Sequence, residues 1–160
     1  MIERGKLTLE RTFDAPLEDV WELWTTRDGI EAYLGPDGFT VTVEQLDLRP
    51  GGELVYVMTA VGSEQVEFMT KAGMSLVSRQ HVRFVEVDPP RRLVSLELAD
   101  FVPGIEPYEV ESVLELQSTG HGTRLVLTFD AMHDPHWTEM AKLGREHELQ
   151  KLAELLAARK

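Results

Sequence analysis

Polar and apolar residues alternate at the start of the chain. Leu7, Leu9, Arg11 and Phe13 interleave with Thr8, Glu10 and Thr12, and a period of two predicts a strand. Asp14-Ala15-Pro16 stops it. Proline suits a first helical turn, where its missing N–H is not needed, and Glu18 and Asp19 favour the positive end of a helix. The period then changes. Val20, Leu23 and Trp24 share one helical stripe with Trp21 beside it. Thr25 to Asp28 break that stripe. A second short helix is predicted from Asp28 to Leu34, and Gly35-Pro36-Asp37-Gly38 ends it.

A series of strands follows. Phe39 to Leu48 is one, Arg49-Pro50-Gly51-Gly52 is a turn, and Glu53 to Val61 is the hairpin partner. Glu64 to Ser78 fits neither period cleanly and reads as a short helix plus irregular backbone. Gln80 to Val87 is a strand stopped by Asp88-Pro89-Pro90, and Arg92 to Ala99 is another. Pro107 to Ser118 and Thr123 to Met132 flank the turn Thr119-Gly120-His121-Gly122. Asp134-Pro135 then offers an N-cap and an N1 proline. From there to about Ala158 the chain is rich in Ala, Leu, Glu and Lys, all strong helix formers.

The order is strand, two short helices, about six strands and one long helix. Consecutive strands joined by tight turns imply an antiparallel sheet, and helices set apart from the strand block imply an α+β fold. The long helix must bury its apolar stripe, and the sheet is the one large partner. A strongly curved sheet gripping a helix of ~25 residues, roughly 37 Å long, leaves space between the two.

Composition narrows the chemistry. The chain has 160 residues and no cysteine, which excludes disulfides, thiolate zinc sites and cysteine nucleophiles. The formal net charge is −12, which repels phosphate backbones and argues against nucleic acid and anionic membranes. No apolar run approaches the ~20 residues of a membrane span. MIERGKLTLER lacks the apolar centre of a signal peptide, so a cytoplasmic protein is expected. GxSxG, Walker and GxGxxG motifs are absent, and no cofactor is expected.

Several stretches resemble a known superfamily. "FDAP" followed by "VWELWT", then "RPGGELVYVM", "FVEVDPPRRLV" and "GTRLVLTF", resemble the START-like, helix-grip superfamily, also called SRPBCC. The closing "WTEMAKLGREHELQKLAELLA" is similar to the last helix of the branch related to the activator of heat-shock protein 90 ATPase. The resemblance implies one START-like domain over residues 1–160. It implies a curved seven-stranded antiparallel sheet around the C-terminal helix, with two short helices between strands 1 and 2 and a cavity between sheet and helix. The superfamily includes carriers of hydrophobic ligands, polyketide cyclases and co-chaperones, so fold does not settle function.

Three readings stay open. The leading one is a binding module holding a small hydrophobic or aromatic molecule in the cavity. Its expected lining is Trp24, Met58, Phe68, Met74, Phe101, Tyr108, Trp137, Met140 and Gly144. The methionines adapt to irregular partners. Trp137, Met140, Ala141, Gly144, Glu148 and Leu152 fall near one stripe of the long helix, and Gly144 in mid-helix, at a cost of ~1 kcal/mol relative to Ala, suggests close approach by a strand or a ligand. Trp21 and Trp24 are expected mainly to pack, with Trp24 or Tyr33 reaching the cavity mouth. The second reading is a cyclase, dehydratase or hydrolase in the same cavity, with His81, His136 and Glu148 as candidate acids or bases. The third is a chaperone-associated stress-response protein acting through its outer surface. His133-Asp134-Pro135-His136 looks like a metal cluster, but Asp134 serves as a cap and the rings straddle a corner, so no metal site is expected. Apolar groups on both faces of Glu53 to Val61 leave room for a homodimer. The apolar loop Asp100 to Tyr108 suits a flap or a dimer contact.

Overall fold

A computed structural model describes residues 5–34, 37–100 and 102–159. The elements are β1 (Lys6–Phe13), α1 (Leu17–Thr25), α2 (Arg27–Tyr33), β2 (Phe39–Leu46), β3 (Glu53–Ala60), α3 (Ser63–Lys71), β4 (Val77–Asp88), β5 (Arg92–Ala99), β6 (Tyr108–Ser118), β7 (Thr123–Asp130) and α4 (Pro135–Ala158). The seven strands form one sheet in the order β1-β7-β6-β5-β4-β3-β2, and every neighbouring pair is antiparallel. The α1–α2 pair carries the chain from one edge of the sheet to the other.

Local chemistry explains the breaks. Thr26 ends α1 and starts α2. Its backbone N–H donates to the Glu22 carbonyl, and its hydroxyl oxygen accepts from the Gly29 N–H at 3.2 Å. Pro16 sits at the N-cap of α1, one place before the first helical residue. Asp134 caps α4, accepting from the Trp137 N–H at 2.7 Å, with Pro135 in the first turn. The ambiguous segment resolves into α3 and an early start for β4, which begins at Val77 rather than Gln80. Ser78, Arg79 and Gln80 give no apolar alternation, but their backbone pairs with Met58, Val57 and Tyr56 on β3 respectively, and that ladder makes them strand.

Two register shifts bend the sheet. One lies between Val43 and Gln45 on β2, the other between Phe84 and Glu86 on β4. An extra residue at such a bulge increases twist and reverses which positions face inward. Val41 and Val43 point into the core before the first bulge, and Leu46 and Leu48 after it; Val82 and Phe84 are succeeded by Val87 in the same way.

The main core fills one end of the space between sheet and helices. Leu149, Leu152 and Leu156 of α4 are buried there with Phe13, Val20, Leu114, Leu125 and Leu127. At the other end of α4 a small cluster holds Ala99, Val110 and Met132, with Tyr108, Trp137 and Ala141 against it.

Candidate functional site: a cavity under the first half of α4

Between the first half of α4 and the sheet lies a cavity of about 910 Å³. Met58 of β3, Ser78 of β4, Ala99 of β5, Val110 of β6 and Phe129 of β7 form its sheet wall. Trp137, Met140, Ala141 and Gly144 form the helix wall. Phe68 and Met69 of α3, with Met74, Leu76 and Val102, frame the remaining side. The size and the apolar lining suit a small organic molecule.

A polar layer separates this cavity from the packed core. Strand alternation places it there. Leu93, Ser95, Glu97 and Ala99 share the inner face of β5, and Val110, Ser112, Leu114 and Leu116 share that of β6, with Ser95 paired opposite Ser112. Across this layer Arg145 of α4 donates to Glu97 at 2.7 Å and to the Ser112 hydroxyl at 2.9 Å. Glu148 lies 4.0 Å from the same guanidinium, whose carbon stands 5.4 Å over the Phe129 ring. Burial works against the Arg145 charge, but the Glu97 and Glu148 carboxylates more than offset it and hold the group cationic. Tyr33 and Tyr56 are buried beside this layer. Burial, reinforced by Glu148 for Tyr33 and by Glu97 and then Glu148 for Tyr56, pushes both phenols well above their ordinary 10.0. No buried side-chain nitrogen or oxygen among the described residues lacks a hydrogen-bond partner.

The residues singled out from sequence divide into groups. Met58, Phe68, Met74, Trp137, Met140, Gly144 and Glu148 surround the cavity. Gly144 is not pressed by a strand, since a Cβ there would meet nothing within 4 Å. Trp24 instead packs against Tyr33, ring centroids 5.2 Å apart, and borders a separate void of about 50 Å³. It sits on α1, at the packed end. Tyr108 turns its hydroxyl to His133, 2.7 Å from Nδ1, and accepts the His133 backbone N–H at 3.1 Å. These bonds hold it in the small cluster beside the cavity rather than in the lining. Phe101 lies outside the described residues. His81 is exposed on the outer face of β4, because strand alternation turns Gln80 and Val82 inward. His136 is exposed in the first turn of α4, its ring set edge-on to Trp137. Of the three candidate acid–base residues, only Glu148 borders the cavity.

Sequence reasoning missed Arg145, Glu97 and Tyr56. The signal was available: Arg145 follows Ala141 and precedes Glu148 on the stripe, and Glu97 alternates in phase with Leu93 and Ala99. Among the described residues, no group of three or more histidine or acidic side chains is arranged to hold a metal ion, and no helix is long and apolar enough to cross a membrane.

A bent antiparallel sheet clasping a C-terminal helix is the helix-grip architecture of the START-like superfamily. The chain belongs to the family described as Activator of Hsp90 ATPase homolog 1-like protein, whose sequence profile matches residues 14–157. Solved structures agree on the fold. A protein from Chromobacterium violaceum superposes with a TM-score of 0.77 at 23% identity, over 94% of this chain and 96% of that one. One from Nitrosomonas europaea gives 0.72 at 26% identity, over 97% and 96%. An AHSA1-like protein from Aeromonas hydrophila gives 0.74 at 22%, over 97% and 94%. No curated protein matches the chain.

Proposed function

We propose that the protein binds a small, largely apolar molecule in the cavity between the sheet and the first half of α4. The observation that carries this is the cavity itself: about 910 Å³ lined by Met58, Phe68, Met74, Trp137 and Met140. A helix that only needed to close a core would bring bulky side chains to these positions; this one places Gly144 and Ala141 there. Burying apolar ligand area gains ~25 cal/mol per Å² before the costs of association. Methionine and aromatic side chains repack around irregular shapes, which suits a flat or branched ring system.

Of the three tryptophans, Trp137 borders the cavity, and Trp21 and Trp24 pack at α1. Native mass spectrometry against a panel of lipids and polycyclic aromatics should find a one-to-one complex. The same compound should quench tryptophan emission, and Trp137→Phe should remove most of that quenching. A panel that yields no complex, with emission unmoved, ends this reading.

A second reading, an enzyme acting in the same space, draws on one observation: the buried Glu148 borders the cavity in a cluster with the buried Tyr56 and the part-buried Arg145 and Glu97. A carboxylate there can exchange a proton with a bound molecule. Turnover of a compound found by the binding screen, lost in Glu148→Gln with binding retained, is the result that would favour it.

A further inference from the structure

The charge around the cavity is lopsided. Six carboxylates border it: Asp37, Glu64, Glu97, Asp100, Asp130 and Glu148; the guanidiniums there are Arg79 and Arg145. Neither guanidinium is available to a ligand. Arg79 forks onto Glu44 at 2.7 and 3.2 Å on the outer side of the sheet. Arg145 is committed to Glu97, Ser112 and the face of Phe129, with Glu148 at 4.0 Å. Asp130 is paired with Lys6 at 2.6 Å, whereas Asp37, Glu64 and Asp100 meet no cation within 4 Å among the described residues.

From this we infer that the cavity selects an apolar molecule carrying a protonated amine over its neutral and anionic counterparts. The inference rests on the binding reading above and adds the chemistry of the ligand's polar end. An anionic head reaching the inner end would face the Glu97 and Glu148 carboxylates, and like charges repel. To gain a cation it would have to pull Arg145 from Glu97 or Ser112. An ammonium meets the opposite situation. A carboxylate offers about four lone-pair directions, and Arg145 donates to Glu97 through one nitrogen, so Glu97 can still accept from an ammonium, with the Glu148 carboxylate adding negative charge at the same end of the cavity. The apolar body would lie along Met58, Met140 and Trp137, and an aromatic face there adds attraction for a cation. The net charge of −12 draws cations toward the mouth before contact.

The test is a matched series that differs only at the head: 1-naphthylmethylammonium, 1-naphthalenemethanol and 1-naphthoate, titrated calorimetrically into the full chain at pH 7. The ammonium should bind about tenfold more tightly than the alcohol, the margin of a charge-assisted over a neutral hydrogen bond, and naphthoate should bind least. Glu148→Gln should bring the ammonium-to-alcohol affinity ratio down from about tenfold to about threefold or less, the ratio being the readout because the substitution also alters the cavity wall. If naphthoate matches or exceeds the ammonium, or the alcohol equals it, the inference is overturned while cavity binding stands. If none of the three binds, the inference is overturned, and the mass-spectrometric panel above decides whether cavity binding stands. The wild-type ranking decides the matter even where Glu148→Gln fails to fold.

Discussion

The two halves of α4 face the same sheet and do opposite things. In the second half Leu149, Leu152 and Leu156 are buried among residues of the sheet, α1 and α2. In the first half Met140 is 37% exposed, and Gly144 has open space where its side chain would be. One helix therefore anchors itself with its C-terminal turns and roofs a hollow with its N-terminal ones. The boundary is a charged layer built on Arg145, Glu97 and Glu148. A buried ion pair contributes little net stability against an apolar alternative, but it penalises any arrangement that separates the partners. It lies between a filled region and an empty one, tying α4 to β5 and β6 through Glu97 and Ser112. Anchoring and cavity are thereby assigned to different stretches of the same interface.

That assignment is broken most directly by truncating one side chain in each half. Leu152 is fully buried, and Leu152→Ala should cost about 3 kcal/mol through lost transfer energy and the void left behind. Met140→Ala should cost less than about 0.5 kcal/mol, as an exposed position does. Urea unfolding measures both. Equal costs would mean that the first half of α4 is packed after all.

Alkaline titration tests the boundary. The folded-state values of Tyr33 and Tyr56 lie well above the 10.0 of the unfolded chain. Below pH 10 both states hold the phenol protons, and this contribution to stability is complete. Above pH 10 the unfolded chain releases them while the folded chain keeps them, so stability falls as pH rises toward the folded values. At pH 11 the loss relative to pH 8 should be smaller by about 2–3 kcal/mol in the Tyr33→Phe/Tyr56→Phe double variant than in the wild type, at roughly 1.4 kcal/mol per group and pH unit. An unchanged loss would show that water reaches this layer from the cavity side.

Much of this architecture was legible in the residues, and the exceptions share a cause. Periods of two in Leu7–Phe13 and Thr123–Met132, and the Asp134-Pro135 cap, mark elements whose signal is local. The bulges were not legible, because a shift of inward face from Val43 to Leu46 looks like a lapse of alternation until the partner strand is known. Val77 and Ser78 read as irregular, and the strand as starting only at Gln80, because their ladder with β3 is a long-range fact. The lining of the cavity was partly legible: Met58, Phe68, Met74, Trp137, Met140 and Gly144 surround it, while Trp24, apolar and on an amphipathic helix, sits at the packed end. Hydrophobic character reports that a side chain leaves water; it does not report whether it meets a neighbour or a void. The charged layer was missed for the complementary reason. Arg145 and Glu97 went unremarked among the charged residues, and only the meeting of β5, β6 and α4 makes them a part-buried pair.

The finest contrast lies between two glycines. At Gly29 an added Cβ would stand 2.1 Å from the Leu23 carbonyl oxygen and 2.5 Å from its Cα. Both are backbone atoms of α1, so nothing flexible can yield, and α2 must move off the helix it packs against. Gly29→Ala should cost about 2 kcal/mol, the usual scale of overpacking. At Gly144 the same methyl would enter the hollow and touch nothing within 4 Å. There the helix loses only a weak helix former, and Gly144→Ala should stabilise the protein by up to about 1 kcal/mol. The sign of each change follows from what faces the glycine, the α1 backbone at Gly29 and open space at Gly144, since the substitution is chemically identical. The two urea midpoints must therefore move in opposite directions from the wild type. A drop at both positions would mean that the space beside Gly144 is already taken up in solution by collapse of the walls. In that case the binding titrations should show a correspondingly smaller site, with the naphthalene series failing before smaller rings do.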